Sequence, residues 1–121
     1  MGATIVGMTG GILTVKITGK LMQAELAEVQ KKAGEILRKE GRMRILILTE
    51  SFQGWGPGGD AWGDLSFQDQ HDGFIEKLAI VGEEKWEDLA LVFVSKGLRK
   101  FPVEYFQPAD LAKARAWLAS S

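Results

Sequence analysis

The second half of the chain contains KLAIVG (residues 77–82), EKWEDLALVFVSKGL (84–98), FPVEYF (101–106) and PADLAKARAWL (108–118). The first and third segments are short and apolar, which is typical of strands, whereas the second and fourth carry apolar residues on one helical face. Strands that alternate with helices in this way predict an α/β domain, with a single mixed β-sheet packed against helices.

The first half of the chain supplies the other strands of that sheet. TIVGM (4–8) and ILTVKIT (12–18) flank Gly10-Gly11, a pair that suits the positive φ angles of a tight hairpin turn. MRILILT (43–49) has no polar alternation, as expected of a central strand that is covered on both faces.

Two further segments have helical patterns. Residues 21–40 predict a helix that ends at Gly41, a residue suited to the position just after a helix. The glycine-rich segment 50–59 is expected to be a loop, and residues 60–74 are expected to form a helix after it. The apolar stripe of the first helix consists of Met22, Leu26, Val29, Ala33 and Ile36.

Composition limits the classes of function. A chain of 121 residues suits a single domain, here residues 1–121. Fifteen basic and sixteen acidic residues give a formal charge of −1, which argues against binding to nucleic acid or to an anionic membrane surface. The absence of cysteine excludes disulfides and thiolate metal sites. The apolar run LALVFV (89–94) is far shorter than the ~20 residues of a membrane-spanning helix, so we expect a cytoplasmic protein.

Several separated blocks resemble one protein family. ESFQGW (50–55), His71, KLAIVGEEKW (77–86) and VEYFQPADLAKARAWL (103–118) are similar, in order and spacing, to the bacterial SpoIIAA-like family. This family is a branch of the STAS fold, named for sulfate transporters and anti-sigma-factor antagonists. The resemblance covers nearly the whole chain and implies a mixed sheet of four or five strands with helices packed on it. It implies no assigned biochemical role, and it extends distantly to lipid-binding domains of the CRAL-TRIO type.

The chain departs from the resemblance at the phosphorylation site of the antagonists. Those proteins carry a phosphorylatable serine at the start of the helix that follows the central strand. Here the corresponding segment, TESFQGWGPGGDAWGD (49–64), has Asp60 near the expected helix start. Ser51 lies at the strand end instead, so the sequence does not support a phosphorylation switch.

The glycine-rich segment has two interpretations as a ligand site. Gly54, Gly56 and Gly59 satisfy G-x-G-x-x-G, but the first glycine does not follow the strand directly and Trp55 would crowd a phosphate, which disfavours dinucleotide binding. A small-molecule pocket fits better, because pockets form beyond the carboxyl ends of strands in open α/β sheets. The alternative is that the aromatic residues here cap the core. The candidate ligand-binding residues are Glu50, Ser51, Phe52, Gln53, Trp55 and Trp62.

His71 is the single histidine of the chain. Helical spacing places it on a stripe with Phe67 and Phe74, which is typical of a packed histidine. Asp69 and Asp72 do not complete a recognised metal-ligand spacing, and nothing in the sequence brings Ser51 within reach of His71. We therefore assign no catalytic residue, no metal ligand and no cofactor.

The segment 84–98 carries more apolar residues than contact with one sheet requires. Such a surplus is typical of a partner surface and predicts a homodimer. The alternative is that this stretch is partly strand, since short apolar runs are ambiguous. The candidate interface residues are Leu91, Val92 and Val94.

Three functions remain open. The first is a non-catalytic STAS-like module that binds a small apolar or amphipathic ligand or a protein partner. The second is an oligomerisation or interaction domain without a pocket. The third is an enzyme that uses the glycine-rich loop or His71.

Overall fold

The computed structural model describes residues 3–55, 72–93 and 101–120, and within them it leaves out the side chains of residues 23, 50, 51, 55, 72, 89, 92 and 93. Short 3-10 turns lie at Asp72–Phe74, Glu84–Trp86 and Pro108–Asp110. The strands are β1 (Ala3–Thr9), β2 (Ile12–Leu21), β3 (Met43–Trp55), β4 (Ile75–Val81) and β5 (Val103–Phe106). The helices are α1 (Gln23–Glu40), α2 (Glu87–Phe93) and α3 (Leu111–Ala119).

The described strands form one five-stranded sheet in the order β1-β2-β3-β4-β5. β1 and β2 are antiparallel, and every later pair is parallel. The predicted mixed sheet is confirmed, with β3 and β4 adjacent at its centre and β2 beside them. The hairpin between β1 and β2 turns at Gly10 and Gly11, whose φ angles of 59° and 80° require glycine.

Helices cover both faces of the sheet. α1 and α2 pack on one face, where Leu13, Ile45 and Ile80 are buried. α3 packs on the other face, where Leu46 and Ala79 are fully buried against it. This two-sided burial explains why β3 contains the uninterrupted apolar run ILIL (45–48) and shows no polar alternation, as the sequence predicts.

Two basic side chains attach the end of α3 to the sheet. The Arg44 guanidinium donates to the carbonyl oxygens of Leu118 and Ser120. The Lys77 ammonium donates to the carbonyl of Trp117 at 2.8 Å and lies 4.9 Å from the centroid of that residue's ring. Cations at a helix carboxyl end satisfy its unpaired carbonyls and favour the helix dipole.

The predicted loop over residues 50–59 is wrong for its first six residues. β3 continues to Trp55 because β2 also runs on, to Leu21, and the two strands stay paired that far, with two register shifts. The same extension of β2 delays α1, which begins at Gln23 rather than at residue 21. Residues 56–59 lie outside the described part of the chain.

Other predicted boundaries also differ from the structure. The sequence predicts Met22 in the apolar stripe of α1, but it precedes the helix, is exposed and donates its N–H to the Glu25 carboxylate. Leu37 is absent from that predicted stripe, but it is fully buried. In place of a helix over 84–98, a 3-10 turn leads into α2, and residues 94–100 lie outside the described part. Of the predicted helix over 60–74, only the turn Asp72–Phe74 is described. Within the described ranges, no helix combines the length and the apolar character needed to cross a membrane.

Candidate ligand-binding site at the strand ends

The parallel strands do not end level with one another. The last pair between β3 and β4 is Leu48 with Val81, whereas β3 continues beside β2 to the pair Leu21 with Trp55. Among the described strands, none pairs with residues 49–55 on their β4 side. The sheet outline therefore has a step at the carboxyl ends of its strands, the position at which open α/β sheets bind ligands. We call this region the strand-end site and define it by Thr49, Phe52, Gly82, Trp86 and Tyr105.

Two bulges shape the β3 side of this site. Between the pairs Thr18–Glu50 and Gly19–Phe52, β3 contains one extra residue, Ser51. Simple alternation from Leu46 and Leu48 would place Phe52 on the α3 face, but the extra residue returns it to the α1 face. A second register shift follows before Trp55. Bulges often redirect side chains beside functional sites.

An aromatic pair forms the apolar part of the site. Phe52 is buried, and its ring packs edge-to-face on Trp86, with the centroids 5.0 Å apart and the planes at 70°. Such pairs add about 0.5–1.5 kcal/mol beyond the area that they bury. Gly54 passes beside the indole with φ of 100°, and a Cβ there would lie 3.3 Å from Cη2 of Trp86. The close approach and the positive φ together favour glycine at this position.

Two hydroxyl groups converge over Gly82, where β4 ends. Thr49 Oγ1 donates to the Val81 carbonyl at 2.9 Å, and the Tyr105 hydroxyl donates to the Glu83 carbonyl at 2.7 Å. A Cβ on Gly82 would overlap Thr49 Oγ1 and would lie 2.6 Å from the Tyr105 hydroxyl. Glycine is thus required here by the two hydroxyls that occupy the space of a side chain.

Tyr105 is neutral over the physiological pH range. Burial, together with the neighbouring Glu87 and Glu83 carboxylates, raises the pKa of its phenol to about 12. A neutral phenol at this position acts as a hydrogen-bonding group and not as a phenolate nucleophile.

The outer rim of the site is polar. The Lys85 ammonium lies 5.6 Å from the centroid of the Trp86 ring. The Gln107 amide donates to the Glu84 carboxylate at 3.3 Å. The described part of the chain contains no group of three or more His, Cys, Asp or Glu residues that could hold a metal ion.

The structure places part of the sequence-predicted ligand set at this site. Phe52 belongs to it as a buried ring, while Gln53 is exposed. The side chains of Glu50, Ser51 and Trp55, and the whole of Trp62 and His71, lie outside what the structure describes. Sequence reasoning missed Thr49, Gly82 and Tyr105, although they lie at or next to the last residue of the predicted strands 43–49, 77–82 and 101–106. It also missed Trp86, which lies in the 3-10 turn after β4.

The predicted dimer interface is described only at Leu91. This side chain is half-buried and packs against the core under α1 and α2. The Val92 side chain and the whole of Val94 lie outside the described part of the chain, so the interface stays a prediction.

Comparisons with known proteins point to one family. The model of the SpoIIAA-like family matches residues 12–119. Solved structures that match include a crystal structure of an uncharacterized protein of the DUF3478 family, with a SpoIIAA-like fold, from Shewanella loihica PV-4. It is 21% identical, the match covers 98% of this chain and 94% of that one, and the TM-score is 0.75. No curated protein matches the chain at a significant level.

Proposed function

The chain belongs to the SpoIIAA-like family, and from that premise we propose that it is a non-catalytic module that binds a small amphipathic molecule at the strand-end site. The observation that carries the proposal is the pairing, at one position, of an apolar aromatic surface with two converging hydroxyls. Phe52 and Trp86 supply the aromatic surface, and Thr49 and Tyr105 supply the hydroxyls. Small-molecule sites combine apolar walls with a few placed polar groups in this way.

The backbone supports the same proposal. The step between β3 and β4 lies at the carboxyl ends of parallel strands, where ligands bind in open α/β sheets. Gly54 and Gly82 both stand where a side chain would displace Trp86 or the two hydroxyls. Both glycines therefore help to keep the polar and aromatic groups in place beside the step.

The hydrogen bonds favour binding over catalysis. Both hydroxyls donate to backbone carbonyls and not to a side chain that could act as a base. A nucleophile or general acid needs a partner that moves its proton, and a phenol with a pKa of about 12 gives up its proton poorly near neutral pH. We keep the cytoplasm as the proposed compartment, an expectation that composition alone supports.

Titration with octanol, followed by two-dimensional NMR, tests the proposal. We expect shifts in the Trp86 indole and the Gly82 amide, while the Trp117 indole, on the α3 face, stays unchanged. Trp86→Leu should abolish binding, and the matched control Trp117→Leu should retain it. The proposal would be refuted if octanol shifted no resonance, or shifted resonances other than those of Trp86 and Gly82. Native mass spectrometry of freshly purified protein would reveal a molecule that co-purifies.

A second candidate is self-association, favoured by β1, which lies at an edge of the described sheet. Val6 and Met8 are large apolar residues on this strand and are 59% and 44% exposed. Sedimentation at micromolar concentration separates two versions of this candidate. Val6→Lys should dissociate a dimer formed through β1, whereas Val92→Glu should dissociate one formed through the predicted α2 interface. A monomer at every concentration would remove both versions.

A further inference from the structure

Three hydrogen-bond donors at the strand-end site, the two hydroxyls and the Gly82 N–H, are already used inside the protein. The Thr49 and Tyr105 hydroxyls donate to the Val81 and Glu83 carbonyls. The Gly82 N–H donates to the Phe106 carbonyl at 2.9 Å. What these groups still offer a ligand is the pair of hydroxyl oxygens, which accept no hydrogen bond from the described part of the chain. A hydroxyl that donates to a carbonyl is polarised and becomes a better acceptor.

The charged side chains near these oxygens also favour a ligand whose polar end is a donor. In addition to the effect of burial, the Glu87 and Glu83 carboxylates lie near enough to Tyr105 to disfavour a further negative charge at the phenol. A ligand carboxylate would meet two acceptor oxygens and like charge. Lys85 is the nearby counter-charge, and its ammonium already lies over the face of Trp86.

We propose that the strand-end site prefers amphipathic molecules whose polar end donates hydrogen bonds. The affinity should then fall in the order alkylammonium, neutral alcohol, carboxylate. This inference rests on the proposed function and names the ligand class. The ammonium carries three N–H donors and no acceptor, so it matches two converging acceptor oxygens. The alkyl chain would lie against Phe52 and Trp86, where its contact is apolar and area-driven.

Three probes of equal chain length test the selection: octylamine, octanol and octanoate at neutral pH, below their micellar concentrations. We expect octylamine to bind more tightly than octanoate by about tenfold or more, since hydrogen bonds to charged groups are worth that difference. Octanoate binding as tightly as octylamine would overturn the inference and leave the proposed function standing. If none of the three shifts the Trp86 indole resonance, the proposed function itself fails.

Two conservative variants locate the selectivity on the hydroxyls. Tyr105→Phe and Thr49→Val each remove one acceptor and keep the side-chain shape, so each should weaken octylamine about tenfold and octanoate hardly at all. Thr14→Val is the matched control, because Thr14 lies on β2 opposite Gly7 and Leu46, and it should bind as the parent does. An octylamine preference that survives both variants would assign the selection to diffuse charge and overturn the inference. Thermal melts check that each variant is folded.

Discussion

Replacing Gly82 with alanine places a methyl group where two hydroxyls now meet. The new Cβ would overlap Thr49 Oγ1 and approach the Tyr105 hydroxyl to 2.6 Å. Both oxygens would have to move, and each would weaken the bond that it donates to Val81 or Glu83. Overpacking typically costs ~1–3 kcal/mol. A lost hydrogen bond adds ~0.5–1.5 kcal/mol, and the entropy gain of Gly→Ala offsets ~0.4–1 kcal/mol. The net expectation is a loss of about 2 kcal/mol in the free energy of unfolding, within a range of about 0.5–4 kcal/mol. A domain with a stability of ~5–15 kcal/mol stays folded after such a loss.

Urea denaturation measures this loss, and a double-mutant cycle tests its cause. Thr49→Ala removes the oxygen that the new methyl would overlap. Gly82→Ala should therefore cost at least about 1 kcal/mol less in the Thr49→Ala background than in the parent. Gly7→Ala is the matched control, since a Cβ there meets nothing within 4 Å. Effects of Gly82→Ala and Thr49→Ala that add to within ~0.5 kcal/mol would refute the reasoning.

Three further predictions concern the core, the last helix and the tyrosine. Ile80→Ala should lower the free energy of unfolding by about 2–5 kcal/mol in urea denaturation, because it empties a buried position; a loss below about 1 kcal/mol would contradict its place in the core. Arg44→Met should lower it by about 1–3 kcal/mol, because it removes the hydrogen bonds that Arg44 donates to the Leu118 and Ser120 carbonyls. Lys113→Met at an exposed ion pair should change it by less than about 0.5 kcal/mol. Tyr105, the one tyrosine of the chain, should titrate in ultraviolet absorbance near pH 12 and not 10. Because the pKa of Tyr105 is raised in the folded state, the folded protein keeps a proton that the unfolded chain loses above about pH 10. Stability should therefore fall as the pH rises from about 10 to about 12. A phenol that titrates at 10 would contradict its burial.

Much of the fold follows from local patterns in the sequence. Gly10-Gly11 predicts the first hairpin because few other residues adopt positive φ there at no cost. The lack of polar alternation in 43–49 predicts a strand with helices on both faces, as Ile45 and Leu46 confirm by facing opposite cores. The order of strands and helices after residue 76 predicts the parallel arrangement of β4 and β5.

The strand-end site could not be predicted in the same way. Ser51 and the register shift near Gly54 interrupt the period of two that identifies a strand, so the end of β3 has the sequence pattern of a loop. The meeting of Thr49, Gly82 and Tyr105 depends on the relative register of three parallel strands. That register is set by packing between residues far apart in the chain, and no local spacing encodes it.

Contacts between a bound amphipathic molecule and the protein test the central claim most directly. In NMR spectra of the protein with octylamine, we expect intermolecular nuclear Overhauser effects from the alkyl chain to the rings of Phe52 and Trp86. The methylene next to the nitrogen should show them to the Tyr105 ring. Overhauser effects to Trp117 and Phe106, which pack together at 6.0 Å on the α3 face, or to Val6 and Met8 on β1, would place the ligand elsewhere and contradict the account.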